Sequence, residues 1–369
     1  MTLNAQDLEP SLIDPEVRRM IAERHYNECI LRPEDLEPTR PELEVVSAFN
    51  PGAAEIDGEV VLMVRVAERP RDRREGCTGL PRWDLDEGPV VDWIDNKELE
   101  AIDPRMLRHG NRIRLTFISH IRTYRSHDGR NVDLSTENRF VPRNEYETFG
   151  VEDPRITRIG DRFWITYVAV SERGPATALA STADFEDFQR HGIIFCPENK
   201  DVVFFPEKFG EDYLAIHRPN PHLHFSPPGM WLARSTDMIR WGEHRALHAG
   251  TSEWEAGRIG AGPPPLKTPE GWLLMYHGKA GSAAPGQVAT YSAGLLMLDR
   301  EDPAQITRHA PDPVMVPEAD FETEGFVPSV VFPTATVRRD DRLQVYYGAA
   351  DTATGLVEYS LEDLLAAVR

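Results

Sequence analysis

Apolar runs such as Val60–Val66, Phe163–Tyr167, Tyr213–His217, Trp272–His277 and Leu343–Tyr347 recur along the chain, and each is entered through a polar turn. Those turns are Asp57-Gly58, Gly160-Asp161, Glu211-Asp212, Glu270-Gly271 and Asp340-Asp341. Runs this short, rich in β-branched and aromatic residues, predict buried strands, and Asp beside Gly supplies the positive φ of a tight hairpin. The longest repeat starts at Asp103-Pro104-Arg105 and ends at Leu115-Thr116-Phe117; it returns 50 residues later as Asp153-Pro154-Arg155 through Ile165-Thr166-Tyr167. A second repeated piece, Ser181-Thr182-Ala183-Asp184-Phe185, is matched by Ser235-Thr236-Asp237-Met238. A period near 50 residues with several strands per period predicts a β-propeller, with a β-sandwich as the alternative. Six turn-and-strand units leave the blade count open, because the first and last can share one blade.

Outside this pattern, Asp14-Pro15-Glu16 opens a helix that presents Val17, Met20 and Ile21 on one side. Leu361, Leu364, Leu365 and Val368 have helical spacing at the other end. Arg69 to Asp103 is charged and irregular and reads as a long insertion, with a second insertion at 126–148. The expected organisation is a partly helical extension over 1–45, a propeller over 46–352 and a tail over 353–369.

Composition narrows the partners. The 369 residues include 30 Pro and 26 Gly, which suits frequent turns and not a helix bundle. A net charge of −20 argues against nucleic acid, whose phosphates need a basic surface. A small anion would therefore need its own local cluster of cations. Cys29, Cys77 and Cys196 are few, distant and odd in number, which predicts reduced thiols and a cytoplasmic protein. Neither a secretory leader nor an apolar stretch of membrane length is expected. Homo-oligomerisation is left open. Gly257-Arg258-Ile259-Gly260-Ala261-Gly262 has the wrong spacing for a dinucleotide loop and runs into three prolines. His222 and His224 lack a third partner for a metal, so no metal and no organic cofactor are expected.

Glu152-Asp153, beside Pro154 and Arg155, sets two carboxylates at a stiffened strand start. Adjacent negative charge can keep one of them protonated, as a glycosidic leaving group requires. The same pair reads equally well as a turn cap with Arg155 as salt-bridge partner. Arg65 stands inside the apolar run Val60–Val66, Lys200 and Lys208 flank Asp201–Glu207, Arg218 follows His217, and His277 ends a strand. Such cations at strand ends fit an anion site. Asn50, Glu324 and Asp351 offer groups for sugar hydroxyls, and Tyr276, Trp231 and Tyr347 offer faces for stacking or for the core.

These segments together resemble glycoside hydrolase family 130, the β-mannoside phosphorylases and related β-mannosidases. The matching text includes Phe49-Asn50-Pro51-Gly52, Gly150-Val151-Glu152-Asp153-Pro154-Arg155, Asn199-Lys200-Asp201 and His217-Arg218-Pro219. It continues with Arg258–Gly262, Tyr276-His277-Gly278 and Tyr346–Asp351. The resemblance implies an all-β, five-bladed propeller with short helical extensions. It implies inverting phosphorolysis of a β-mannoside to α-mannose 1-phosphate, with Asp153 as proton donor and inorganic phosphate as co-substrate. Lys200, Arg218, His277 and Arg65 are the expected phosphate ligands; Asn50, Glu152, Tyr276, Glu324 and Asp351 are expected around the sugar. The alternatives are an inverting β-mannosidase and a non-catalytic carbohydrate-binding propeller. Linkage and acceptor stay undetermined at this point.

Overall fold

A computed structural model describes residues 22–103, 105–220, 225–281 and 289–368. The fold is all-β: among the described residues, the only α-helices are the short Asp320–Thr323 and Leu361–Ala367. Strands group into antiparallel units of four in chain order. The first holds Leu43–Ile56, Glu59–Pro70, Ile118–Ser126 and Asp133–Phe140. The second holds Gly150–Ile159, Arg162–Ser171, Gly174–Thr182 and Gln189–Phe195. It meets the first through one parallel pairing, Gly150 with Ser119. The third holds Asn199–Phe204, Tyr213–Pro219, Met230–Ser235 and Gly242–His248. In the fourth, Arg258–Ala261, Gly271–Lys279, Tyr291–Leu298 and Ile306–His309 are joined by the short Leu266–Thr268. The fifth takes Val331–Arg339, Arg342–Ala349 and Ala353–Ser360 from the end of the chain and Tyr26–Leu31 from its beginning.

The turns read from the sequence occur where expected. Asp57, Gly58, Gly160 and Asp340 all have positive φ and deliver the second strand of the first, second and fifth units. Alternation along these strands fills the clusters between units. Val60, Leu62, Val64 and Val66 pack with Leu356 and Tyr346, joining the first unit to the fifth. The C-terminal helix forms as its spacing predicts, with Leu364 and Val368 fully buried against Val345, Val357 and Tyr359.

Three expectations need correction. Residues 26–31 and 353–360, assigned to an extension and a tail, are two paired strands of one sheet, because their backbones supply each other's hydrogen bonds. The segment 69–103 is not irregular: Cys77–Asp84 pairs with Gly88–Asp95, and Leu99–Asp103 begins a separate sheet with Met106–His109 and Arg112–Leu115. The Asp103 repeat is thus a real hairpin, but it lies in an insertion between the second and third strands of the first unit. The surplus sixth unit is this insertion, and the first and last turn-and-strand units do not share a sheet. The expected helix at 14–21 lies outside the described residues.

Candidate active site

The first strand of each of the first three units breaks register with its neighbour: between Phe49 and Gly52, between Glu152 and Arg155, and between Lys200 and Val203. At each break one polar residue adopts left-handed backbone, Asn50 at φ 49°, Asp153 at φ 50° and Asp201 at φ 55°. Asn and Asp enter this region more readily than other side-chain-bearing residues. A bulge re-aims the side chain it carries. Three successive units thus present an amide and two carboxylates from equivalent places.

Asp153 is 5% exposed. Its Oδ1 accepts from Asn50 Nδ2 at 2.9 Å and from an Arg65 guanidinium N–H at 3.0 Å, while Lys200 Nζ lies 3.4 Å from Oδ2. Arg65 also donates to Glu152 Oε1 at 2.7 Å and, through Nε, to Ser119 Oγ at 3.1 Å. Ser119 Oγ in turn donates to Glu152 at 3.1 Å. Phe49 stacks under Arg65 with its ring centre 4.6 Å from the guanidinium carbon. Burial pushes the Asp153 carboxyl up, but Arg65, Lys200, the Asn50 amide and Arg155 outweigh it and hold Asp153 well below the ordinary carboxylate range.

Asp201 anchors the adjoining half. Its Oδ2 lies 2.6 Å from an Arg218 guanidinium nitrogen and 3.3 Å from His277 Nε2, and Arg155 approaches Oδ1 at 3.8 Å. Arg155 also donates to the carbonyls of Ala261, at 2.9 Å, and Gly262. Lys200 and Arg218 are register partners on neighbouring strands, which continues the cations from Asp153 to Asp201. His277 is fully buried and stacks on Phe332 at 4.0 Å. Burial holds its imidazole down at about 4 against the attraction of Asp201, so it is neutral near pH 7. Gly260 is required here, since a Cβ would stand 2.5 Å from Asp201 Oδ2 and 2.6 Å from His277 Nε2. Gly348 plays the same part opposite, where a Cβ would fall 1.9 Å from Asn50 Oδ1.

The structure therefore brings Asn50, Arg65, Glu152, Asp153, Lys200, Arg218 and His277 into one continuous cluster. Asp351 belongs beside it: burial raises its carboxyl, while the charges of Arg65, Arg105, Asp153 and Lys200 all act on it. Three sequence candidates do not join. Tyr276 is fully buried on the face of its strand opposite His277, with its hydroxyl 2.6 Å from Glu255 and its ring in the core. Glu324 is exposed beyond the helix Asp320–Thr323, and its backbone N–H caps Asp320. Tyr347 is likewise buried, bonded to Glu322 and Asn27.

The family model described as beta-1,4-mannooligosaccharide phosphorylase matches residues 115–369. A beta-1,2-mannobiose phosphorylase of Listeria innocua is 37% identical over 350 residues, covering 93% of this chain and 97% of that protein. The chain belongs to glycoside hydrolase family 130. A beta-1,4-mannooligosaccharide phosphorylase of Ruminococcus albus is 36% identical over 58% of this chain and 63% of its own length. The solved beta-1,2-mannobiose phosphorylase of Listeria innocua, in complex with beta-1,2-mannobiose, superposes with a TM-score of 0.84 over 92% of this chain and 96% of that one, at 36% identity.

In this family 130 chain, sequence reasoning gave Asp201, Arg155, Ser119 and Arg105 no part in the site. Asp201 was legible: it follows Lys200 as Asp153 follows Glu152, one residue into the register break. Arg155 was assigned only to a local salt bridge, whereas its partners come from the third and fourth units. Ser119 and Arg105 had no local signal, because the chain path alone brings them there.

Proposed function

We propose that the chain is a five-bladed β-propeller enzyme that cleaves β-mannosides with inorganic phosphate, inverting the anomeric carbon and releasing α-mannose 1-phosphate. The five four-stranded units, the last completed by Tyr26–Leu31, support the blade count. One observation carries the reaction: phosphate-binding groups run without a break from the half-buried Lys200 beside Asp153 to the buried Arg218 and the neutral His277 around Asp201. A chain with net charge −20 has little use for such a cluster except to hold an anion. Names borne by the relatives, phosphorylases of β-mannosides, agree with that reading.

In the reaction, a phosphate oxygen forms a bond to the anomeric carbon from one face as the glycosidic C–O bond breaks on the other. Asp153 gives its proton to the leaving oxygen, directly or through a sugar hydroxyl, and phosphate replaces the water and second carboxylate of a hydrolase. Asp153 is ionised in the unliganded site. Phosphate bound to Lys200, Arg218 and His277 offsets the positive charge that keeps it so, and thereby readies Asp153 to carry a proton. Arg65, occupied by Glu152, Asp153 and Ser119, positions the acid and is not assigned to phosphate. Asn50 and Asp351 take the mannosyl hydroxyls. The acceptor sugar lies toward a cavity of about 260 Å3 bounded by Phe117, Phe326, Trp93 and Arg73. The β-1,2 linkage is favoured, because a relative named for it aligns along 93% of the chain.

Reverse synthesis from α-mannose 1-phosphate against a panel of acceptors tests this. Phosphate release should be fastest with mannose, yield a β-1,2 disaccharide, and fall by about 10²–10⁴-fold in Asp153→Asn. Full activity in that variant would remove Asp153 from the role of acid, and no synthesis with any acceptor would sink the phosphorylase reading.

A further inference from the structure

Three units carry a buried glutamate as the third residue of a one-turn helix ahead of their first strand. In the second, Glu147 accepts from the Tyr167 hydroxyl at 2.7 Å and from Arg190 at 2.9 Å, and Arg190 also donates to the Val141 carbonyl. In the fifth, Glu322 accepts from Tyr347 at 2.6 Å and from Arg24 at 2.8 Å, and Arg24 also donates to the Val316 carbonyl. Each of these carbonyls stands six positions ahead of its glutamate. In the fourth unit the glutamate and tyrosine persist, with the Tyr276 hydroxyl 2.6 Å from Glu255 Oε2, but among the described residues no arginine comes to the carboxylate. His309, from the outer strand, and His248, from the end of the third unit, stand in its place.

A fully buried carboxylate with no fixed cation is costly. Backbone N–H groups of Thr251 and Ser252 reach Glu255 Oε1, yet its Oε2 faces the two imidazoles. His248 Nε2 lies 3.8 Å from that oxygen with its side chain 92% buried and no hydrogen-bond partner among the described residues. His309 Nε2 is 3.0 Å from the Tyr276 hydroxyl. One ligand atom from each of His248, Glu255 and His309 falls within 4.8 Å of the others.

We propose that His248, Glu255 and His309 form a site for a divalent transition metal, best suited to Zn2+, which supplies the charge that arginine supplies in the sister units. Two imidazoles and one carboxylate are a donor set that Zn2+ accepts, with water completing a tetrahedron. Tyr276, donating to Glu255, orients the carboxylate from outside. The site lies on the face of Gly271–Lys279 opposite His277, the next residue along, since successive strand residues point to opposite faces. The metal is therefore structural. It braces the strand that presents His277 and takes no part in bond cleavage.

The test is a titration of the chelator-treated full chain with Zn2+ and with Co2+. Expected are one equivalent bound, a visible Co2+ spectrum of tetrahedral type, and a rise in melting temperature with the metal. His248→Gln and His309→Arg should both lose the site. His309→Arg restores the arginine of the sister units, so it should melt no lower than the metal-free parent and still lack the Co2+ spectrum. Failure of the parent to bind either ion, or unchanged stoichiometry and spectrum in His309→Arg, would overturn the assignment.

Discussion

At the scale of single residues, two kinds of group in the site resist protons for different reasons. Asp153 and Asp201 are held low by cations although burial opposes it, and His277 is held down at about 4 by burial. His217, buried beside His244, is lowered to about 3 in the same way. A histidine with a depressed folded-state pKa resists protons that the unfolded chain accepts. Its stabilisation is complete above the unfolded value of about 6.5 and is lost as pH falls from there toward the folded value. The two aspartates contribute above about 4 and lose their share below it, because their folded values lie under the unfolded one. Melting temperature should therefore decline from pH 6.5 to pH 4 and more steeply below. His277→Gln should flatten the upper window, as followed by scanning calorimetry. An unaltered slope there would mean that His277 is charged in the folded site.

At the scale of elements, the recurring unit is the one-turn helix with its glutamate. Glu145-Tyr146-Glu147, Glu253-Trp254-Glu255 and Asp320-Phe321-Glu322 share an acid-aromatic-glutamate pattern that was open to sequence reading and passed unnoticed. The pattern is three residues long, and its meaning depends on a tyrosine 20 to 25 positions later. Hairpins were legible because turn and strand are adjacent in sequence. The Asp103 copy shows the limit of that logic, since the same local text builds a hairpin in an insertion, where Asp103 merely bonds Arg105. The buried glutamate with its tyrosine and arginine makes a stability prediction. Arg190→Met leaves the buried Glu147 without its cation and should cost about 3–5 kcal/mol. Tyr167→Phe, losing the bond to Glu147 and the longer one from Arg190, should cost about 1–2 kcal/mol. Denaturant titration separates the two, and equal small losses would show that Glu147 does not depend on Arg190.

At the scale of the whole molecule, a strand from near the start of the chain completes the sheet at its end, and residues far apart in sequence meet at Asp153. All-β architecture was legible from the alternation and turns. So was most of the site, because Asn50, Asp153 and Lys200 sit in short segments whose residue types already suggest chemistry. What stayed hidden was closure: Tyr26–Leu31 has no local feature that names Ala353–Ser360 as its partner. The same absence misassigned Tyr276, whose strand face is decided by Glu255 from another segment. Among the described residues no helix is long and apolar enough to cross a membrane. The central claim is that phosphate, not water, attacks the mannosyl carbon. Proton NMR of β-1,2-mannobiose incubated with the enzyme tests it most directly, with and without inorganic phosphate. The expected result is α-mannose 1-phosphate and mannose in equal amounts, formed only with phosphate. Two equivalents of free mannose appearing at the same rate without phosphate would contradict it.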